Sequence, residues 1–192
     1  MPGFVVTKDK GAGNFEYHFQ FTGVIDEPDP WCTLIQTLDM AKDGDDVYIY
    51  FNSVGGTVIT GVAIANALLH TKANTHGVVI GICASIAAMC LCACKEIRCM
   101  PMTHVMFHST SGGSFGKTLD CENQAANMNE YFKDLMSSVA TRILTEEQIN
   151  YIYATRRDLW LTAAEVNATQ KKSAETPAQE SESKPAEEPK NE

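Results

Sequence analysis

The sequence predicts one α/β layered domain with largely parallel strand pairing, and three observations carry that expectation. Its 192 residues are 44% hydrophobic, enough to build one globular core. Apolar runs of strand length alternate with longer helical patterns, the order that crossover connections in a parallel sheet require. The last stretch, 169–192, has no Val, Ile, Leu, Met or aromatic residue, so the core falls to residues 1–168. Three prolines and mixed Lys and Glu make that stretch a disordered charged tail by expectation, because it cannot bury enough surface to offset its ordering entropy.

Within 1–168 each element has its own signal. Residues 15–23, "FEYHFQFTG", alternate as a strand does. Pro30 opens a helical pattern through Leu34, Leu38 and Ala41, closed by "KDGDD". "VYIYFN", 47–52, is a buried strand, and "SVGG" after it is expected to be a tight turn. Residues 57–70 are helical by their small and apolar content, and "HGVVIGI", 76–82, is another continuous apolar strand. Ser85 then begins a helix. "HVMFH", 104–108, is a short strand, and the glycine-rich "TSGGSFG" follows it. A long amphipathic helix is expected from about Lys117 to Ile143. Thr145 with Gln148 forms a capping box for "EEQINYIYAT", and Thr162 with Glu165 has the same form.

Composition removes several function classes. The formal net charge is −9 with no basic stripe, which argues against a nucleic-acid partner. No apolar run reaches the roughly 20 residues of a membrane helix. "MPGFVVTKDK" lacks the apolar centre of a secretory signal, so a cytoplasmic location is expected. Of seven cysteines, Cys83, Cys90, Cys92, Cys94 and Cys99 cluster around one segment, with no C-x-x-C pair and no histidine at zinc-finger spacing. They read as reduced thiols used as small packing residues, and neither a metal nor another cofactor is expected.

Two joints carry chemistry. In "FNSVGG", Gly55 and Gly56 allow the backbone to present N–H groups that a side chain would shield. In "GICASIA", Ser85 stands at a helix start, where unpaired N–H groups and the helix dipole favour developing negative charge. One N–H from each joint could form an oxyanion hole, where each donor is worth on the order of 3–4 kcal/mol in the transition state. The plainer alternative is that the glycines make turns and the serine caps a helix. A serine nucleophile needs a base. His104 and His108 share a strand face, and His108 is favoured because it ends its strand, where α/β folds place their sites. For the acid, spacing leaves Asp120, Asp134 and Asp158 open. Asp158 precedes the apolar "LWL", which could hold it, and it could equally pair with Arg156 or Arg157 on the surface.

Four blocks taken together, "YIYFNSVGGTVITGVAIANAL", "GICASIAAMCL", "MPMTHVMFHSTSGG" and "TRRDLWLTAAEV", resemble in order the signature blocks of the Clp protease proteolytic subunit family. The likeness runs from about Phe21 to Val166. It implies a spiral of β-β-α units, shared with crotonase-like enzymes, carrying a protruding handle helix at 117–143. It implies a serine endopeptidase with Ser85 as nucleophile, His108 as base and Asp158 as acid. The amides of Gly56 and Ile86 would form the oxyanion hole, and Gly112 and Gly113 would belong to a strand that pairs with extended substrate. It further implies a homo-oligomer, a heptameric ring stacked in pairs around a chamber that admits unfolded polypeptides or short peptides.

The sequence also departs from that pattern. Val54 replaces the family's usual proline, and Ser109-Thr110 replaces the usual Gln-Pro after the base. The strand usually found after the acid block is replaced by the charged tail, and few residues precede Phe15. An AAA+ unfoldase, the family's usual partner, is therefore not carried over with the resemblance. Two other classes compete. A crotonase-like acyl-CoA enzyme would need a carboxylate in the two joints, and neither has one. A catalytically inactive scaffold or assembly protein of the same fold would keep the ring without turnover. Lys95 as base lies about 15 Å along the helix from Ser85 at ~1.5 Å per residue, too far to serve.

Overall fold

A computed structural model describes residues 5–26, 31–111 and 117–175. Strand β1 (Val5–Gly11) and strand β2 (Asn14–Ile25) form an antiparallel hairpin, and β2 then pairs in parallel with β3 (Asp46–Gly56). Helix α1 (Cys32–Met40) makes the crossover between them, and helix α2 (Val58–His70) leads from β3 to β4 (Asn74–Ala84), again parallel. The short helix α3 (Ile86–Cys92) follows, then β5 (Glu96–Cys99) and β6 (His104–Phe107). Helix α4 (Thr118–Val139), helix α5 (Glu146–Thr155), β7 (Leu159–Thr162) and helix α6 (Ala163–Glu175) complete the described chain.

Among the described residues, seven strands join one sheet in the order β1-β2-β3-β4-β6-β7, with β5 attached to β4. Strand β4 divides its edge in two. Residues 76–79 pair with β5, while Ile82, Cys83 and Ala84 pair with β6. That division turns the sheet as it advances, and it delivers the end of β6 beside the end of β4. Parallel pairing holds across β2, β3, β4, β5 and β6, and the two outermost strands are antiparallel.

One face of the sheet is covered by helices because alternate strand residues are large and apolar. Phe19, Phe21, Ile49 and Phe51 are fully buried beneath α1 and α2, and Trp31 packs on Phe21 with ring centres 4.5 Å apart. Helix α3 is buried on all sides, which its all-apolar sequence "IAAMCLC" permits. Its cysteines and those nearby are free thiols, and Cys83, Cys90, Cys92, Cys94 and Cys99 are all buried.

Several sequence expectations need correction. "SVGG" is not a tight turn but the last part of β3, still paired with β2 through a bulge between Gly23 and Val24. The long helix ends at Val139, and a single 3₁₀ turn occupies Ala140–Arg142. Helix α6 continues to Glu175, so the composition boundary at residue 169 falls inside a helix. The substrate-strand candidates Gly112 and Gly113 lie outside the described residues, as does 176–192. Both capping boxes form: Thr145 with Gln148, and Thr162 with Glu165.

Candidate active site

The site begins with how the chain turns between β4 and α3. Ser85 holds φ 59° and ψ −130°, a conformation that costs a non-glycine residue about 1–3 kcal/mol. Its amide donates to the Met106 carbonyl of β6 at 2.9 Å, and its carbonyl accepts the Ala88 amide at 3.0 Å. Ser85 thus occupies the N-cap position of α3, yet its hydroxyl makes no capping bond. The Oγ instead lies 2.7 Å from His108 Nε2. With the ring proton on Nδ1, the hydroxyl donates to Nε2, the arrangement a general base requires. The plain helix-cap reading of this serine leaves that geometry unexplained.

His108 follows the last residue of β6, at the end of a strand as expected. His104, at the other end of that strand, is exposed and sits in register with Thr162. For the acid, topology separates the three aspartates that spacing left open. Asp120 and Asp134 are exposed on α4. The antiparallel ladder between β6 and β7 pairs Phe107 with Leu159, and one further step of that register sets His108 opposite Asp158. Asp158 is nevertheless exposed, and among the described residues no hydrogen bond joins it to the His108 ring. No ion pair joins it to Arg156 or Arg157 either, among the described residues. The structure therefore forms the serine–histidine contact, while Asp158 immediately precedes the strand whose first residue pairs with Phe107, without the second hydrogen bond.

The glycine joint lies directly on this elbow. Gly55 has φ 93°, and a Cβ there would stand 2.7 Å from both the Ala84 carbonyl oxygen and Ser85 Cβ. Gly56 packs more closely still on the Ile25 carbonyl, whose oxygen accepts the Thr57 amide at 2.6 Å. Ser53, buried beneath the bulge, fixes it by donating to the Gly23 carbonyl at 2.6 Å and accepting the Gly55 amide at 3.1 Å. Behind Ser85, Gly61 of α2 lets Ile86 approach so closely that a Cβ would overlap its side chain. The Ile86 amide heads α3, where no intrahelical acceptor is available to it. Gly56 lines the same cleft as Ser85, and Ile86 follows Ser85 directly in the chain.

The cleft so formed has a volume of about 370 Å³, with Val54, Val58, Met106 and Phe132 as apolar walls and Thr110 and Ser111 on a hydroxyl-bearing rim. Larger hollows among the described residues include one of about 730 Å³ between α1 and α2 and one of about 480 Å³ beside Pro101–His104. Neither contains Ser85 or His108, so chemistry, not size, selects the smaller cleft. Sequence reading missed Ser53, Val58, Phe132 and the Met106 carbonyl. Val58 follows the glycine pair directly and could have been found from it. Phe132 and Met106 gain their roles only when α4 and β6 are brought to Ser85.

The profile of the Clp protease family matches residues 25–169. This chain belongs to the Clp protease family. Its relatives include the ATP-dependent Clp protease proteolytic subunit of Bacteroides thetaiotaomicron, 32% identical over 131 residues, covering 67% of this chain and 59% of the relative. The protein of the same name from Bacteroides fragilis (strain ATCC 25285) is 30% identical over 131 residues, covering 67% and 62%. The ATP-dependent Clp protease proteolytic subunit 2 of Synechococcus sp. (strain CC9605) is 37% identical over 82 residues, 42% of each chain. This chain thus spans about three-fifths of the length of the two Bacteroides relatives, 59% and 62%. The mixed α/β sheet with its crossover helices is consistent with the Clp protease fold, and its layered, largely parallel core matches the sequence expectation.

Proposed function

We propose that this chain is a serine endopeptidase of Clp type, cleaving unfolded polypeptides or short peptides. The observation that carries the reading is the 2.7 Å contact between Ser85 Oγ and His108 Nε2, made by a serine whose backbone is strained and whose hydroxyl does not cap its helix. In this mechanism Ser85 Oγ attacks the peptide carbonyl while its proton passes to His108 Nε2. The Gly56 and Ile86 amides hold the resulting oxyanion, each worth on the order of 10²–10³ in rate. His108 then protonates the departing amine, and water, deprotonated by the same ring, releases the acyl group from Ser85. Asp158 orients the imidazole once its side chain turns from solvent toward Nδ1, a role supported by the neighbouring pair Phe107 and Leu159 in the β6–β7 ladder.

The relatives' name makes their proteolysis ATP-dependent. The present reading needs only this chain's own hydrolytic site, so short peptides are its first substrates. Assembly into heptameric rings, singly or stacked, belongs to the same proposal. Its support is α4, which is almost wholly exposed from Thr118 to Tyr131 and carries the exposed apolar residues Leu119 and Tyr131. A second reading, a non-hydrolytic scaffold, draws on the absent His108–Asp158 hydrogen bond among the described residues. A fluorophosphonate probe separates the two. Labelling at Ser85 that disappears in Ser85→Ala supports the peptidase. An assembled protein, sized by light scattering, that takes no label would leave only the scaffold.

A further inference from the structure

The segment that carries His108 is held in an unusual way. Beyond Phe107 the chain leaves β6, and residues 108–111 run as irregular backbone toward the start of α4. Two side-chain hydrogen bonds involve these described residues. One is the His108–Ser85 contact itself. The other is donated by Thr110 Oγ1 to Asn129 Oδ1 on α4. Thr110 stands two residues after the base and lines the cleft. Asn129 is exposed and does not line it, although Phe132, three residues on and on the same helix face, forms one of its walls. Helix α4 therefore meets this cleft at two neighbouring points, an apolar one at Phe132 and a polar one at Asn129.

The polar point has no role in the core. From Thr118 to Tyr131 helix α4 is almost wholly exposed, and its buried residues are Phe132, Met136 and Val139. A solvated asparagine on such a helix usually bonds with water. This one accepts from the strand-end segment instead. We infer that Asn129 is a positioning residue: through Thr110 it holds the 108–111 segment so that the His108 ring stays within reach of Ser85. The inference rests on the peptidase reading and adds to it a dependence on α4. A displacement of about 1 Å at a reacting group can cost about 10²-fold in rate. A single exposed hydrogen bond bounds the effect more modestly, at about three- to tenfold.

The test uses the full chain, with Ser85 labelling by a fluorophosphonate and turnover of a short fluorogenic peptide. Asn129→Ala removes the acceptor and replaces it with the best helix former, so the fold is kept. It should lower kcat and the labelling rate by about three- to tenfold with KM and thermal midpoint unchanged. Asn129→Asp keeps an acceptor at the same atom and should retain most of the rate. Thr110→Val should lose as much as Asn129→Ala, and the double variant no more than either alone, because both remove the same bond. Wild-type labelling rates in Asn129→Ala, an equal loss in Asn129→Asp, or additive losses in the double variant would each overturn the inference and leave the peptidase reading standing. Absence of label in the wild type would remove the peptidase reading, and the inference with it. Nitrogen NMR of the His108 ring gives a readout that does not need turnover: Asn129→Ala should shift or broaden it, and an unchanged signal would also overturn the inference.

Discussion

At Gly55 two separate demands fall on one residue. Its φ of 93° is one that side chains disfavour, and the space a Cβ would take is filled by the Ala84 carbonyl and Ser85. Gly23 meets only the first demand, since φ is 86° and nothing lies within 4 Å of an added Cβ. Gly55→Ala should therefore cost more than about 1 kcal/mol in urea unfolding and also slow fluorophosphonate labelling of Ser85. Gly23→Ala should lose stability through its backbone alone and label at the wild-type rate. Equal labelling of the two variants would show that the glycine joint does not touch the nucleophile. At this scale the sequence was informative wherever a residue type is chemically forced. Ser85 between small residues, His108 at a strand end and the Gly55-Gly56 pair could all be picked out. Ser53, Phe132 and Asn129 could not, since a buried serine, a helix phenylalanine and a surface asparagine are common, and only the fold gives them these neighbours.

At the scale of elements, the uncovered face of the sheet is tied together by a row of rings and charges. His18, Tyr48 and His76 are successive register partners across β2, β3 and β4, and they stack with ring centres 5.0 and 4.4 Å apart. Asp46 anchors the adjoining row, accepting from Lys10 Nζ and lying 3.2 Å from His76 Nε2. Burial alone would raise the Asp46 carboxyl, but hydrogen bonds from Lys10, His76 and Asn74 together outweigh it and hold the carboxyl below its ordinary value. A carboxyl lowered in the folded state stabilises the protein above the ordinary carboxylate range, and that contribution is lost as the pH falls through the folded value. Urea midpoints should accordingly decline from about pH 4 downward. Asp46→Asn should be less stable at pH 7 and show a flatter decline; parallel acid limbs would refute this. The strands bearing this row were legible because their buried faces are apolar. Strands β5 and β7 were not, because four residues such as "EIRC" carry too little pattern to stand out from a loop. The "SVGG" segment was misread because its glycines serve a bulge that keeps pairing instead of a reversal that ends it.

At the scale of the whole molecule, the five clustered cysteines show what the core asks of its smallest members. Burial pushes the thiols of Cys94 and Cys99 up to about 12 and about 11, and drives those of Cys83, Cys90 and Cys92 higher. At pH 8 iodoacetamide should leave these five unmodified in the folded protein and alkylate all of them after unfolding, counted by mass spectrometry. Rapid modification of any of the five in the native state would mean that the α3 region opens far more readily than its packing implies. The α/β class, the succession of the main strands and helices along the chain and the buried character of α3 were open to sequence reasoning, since each rests on apolar patterning. The split edge of β4 was not, because one strand serving two neighbours leaves no mark in hydrophobic pattern. The exposure of α4 from Thr118 to Tyr131 was expected only through the resemblance, since its amphipathic pattern alone does not say where along the helix packing begins.

The Ser85 amide and the residue two places before His108 are joined by one backbone bond, from Ser85 to Met106. Nucleophile and base thus hang from a shared hinge-pin. A displacement of β6 at Met106 would therefore pull on the nucleophile's own backbone, while the ring of the base still depends on how the residues after Phe107 are held.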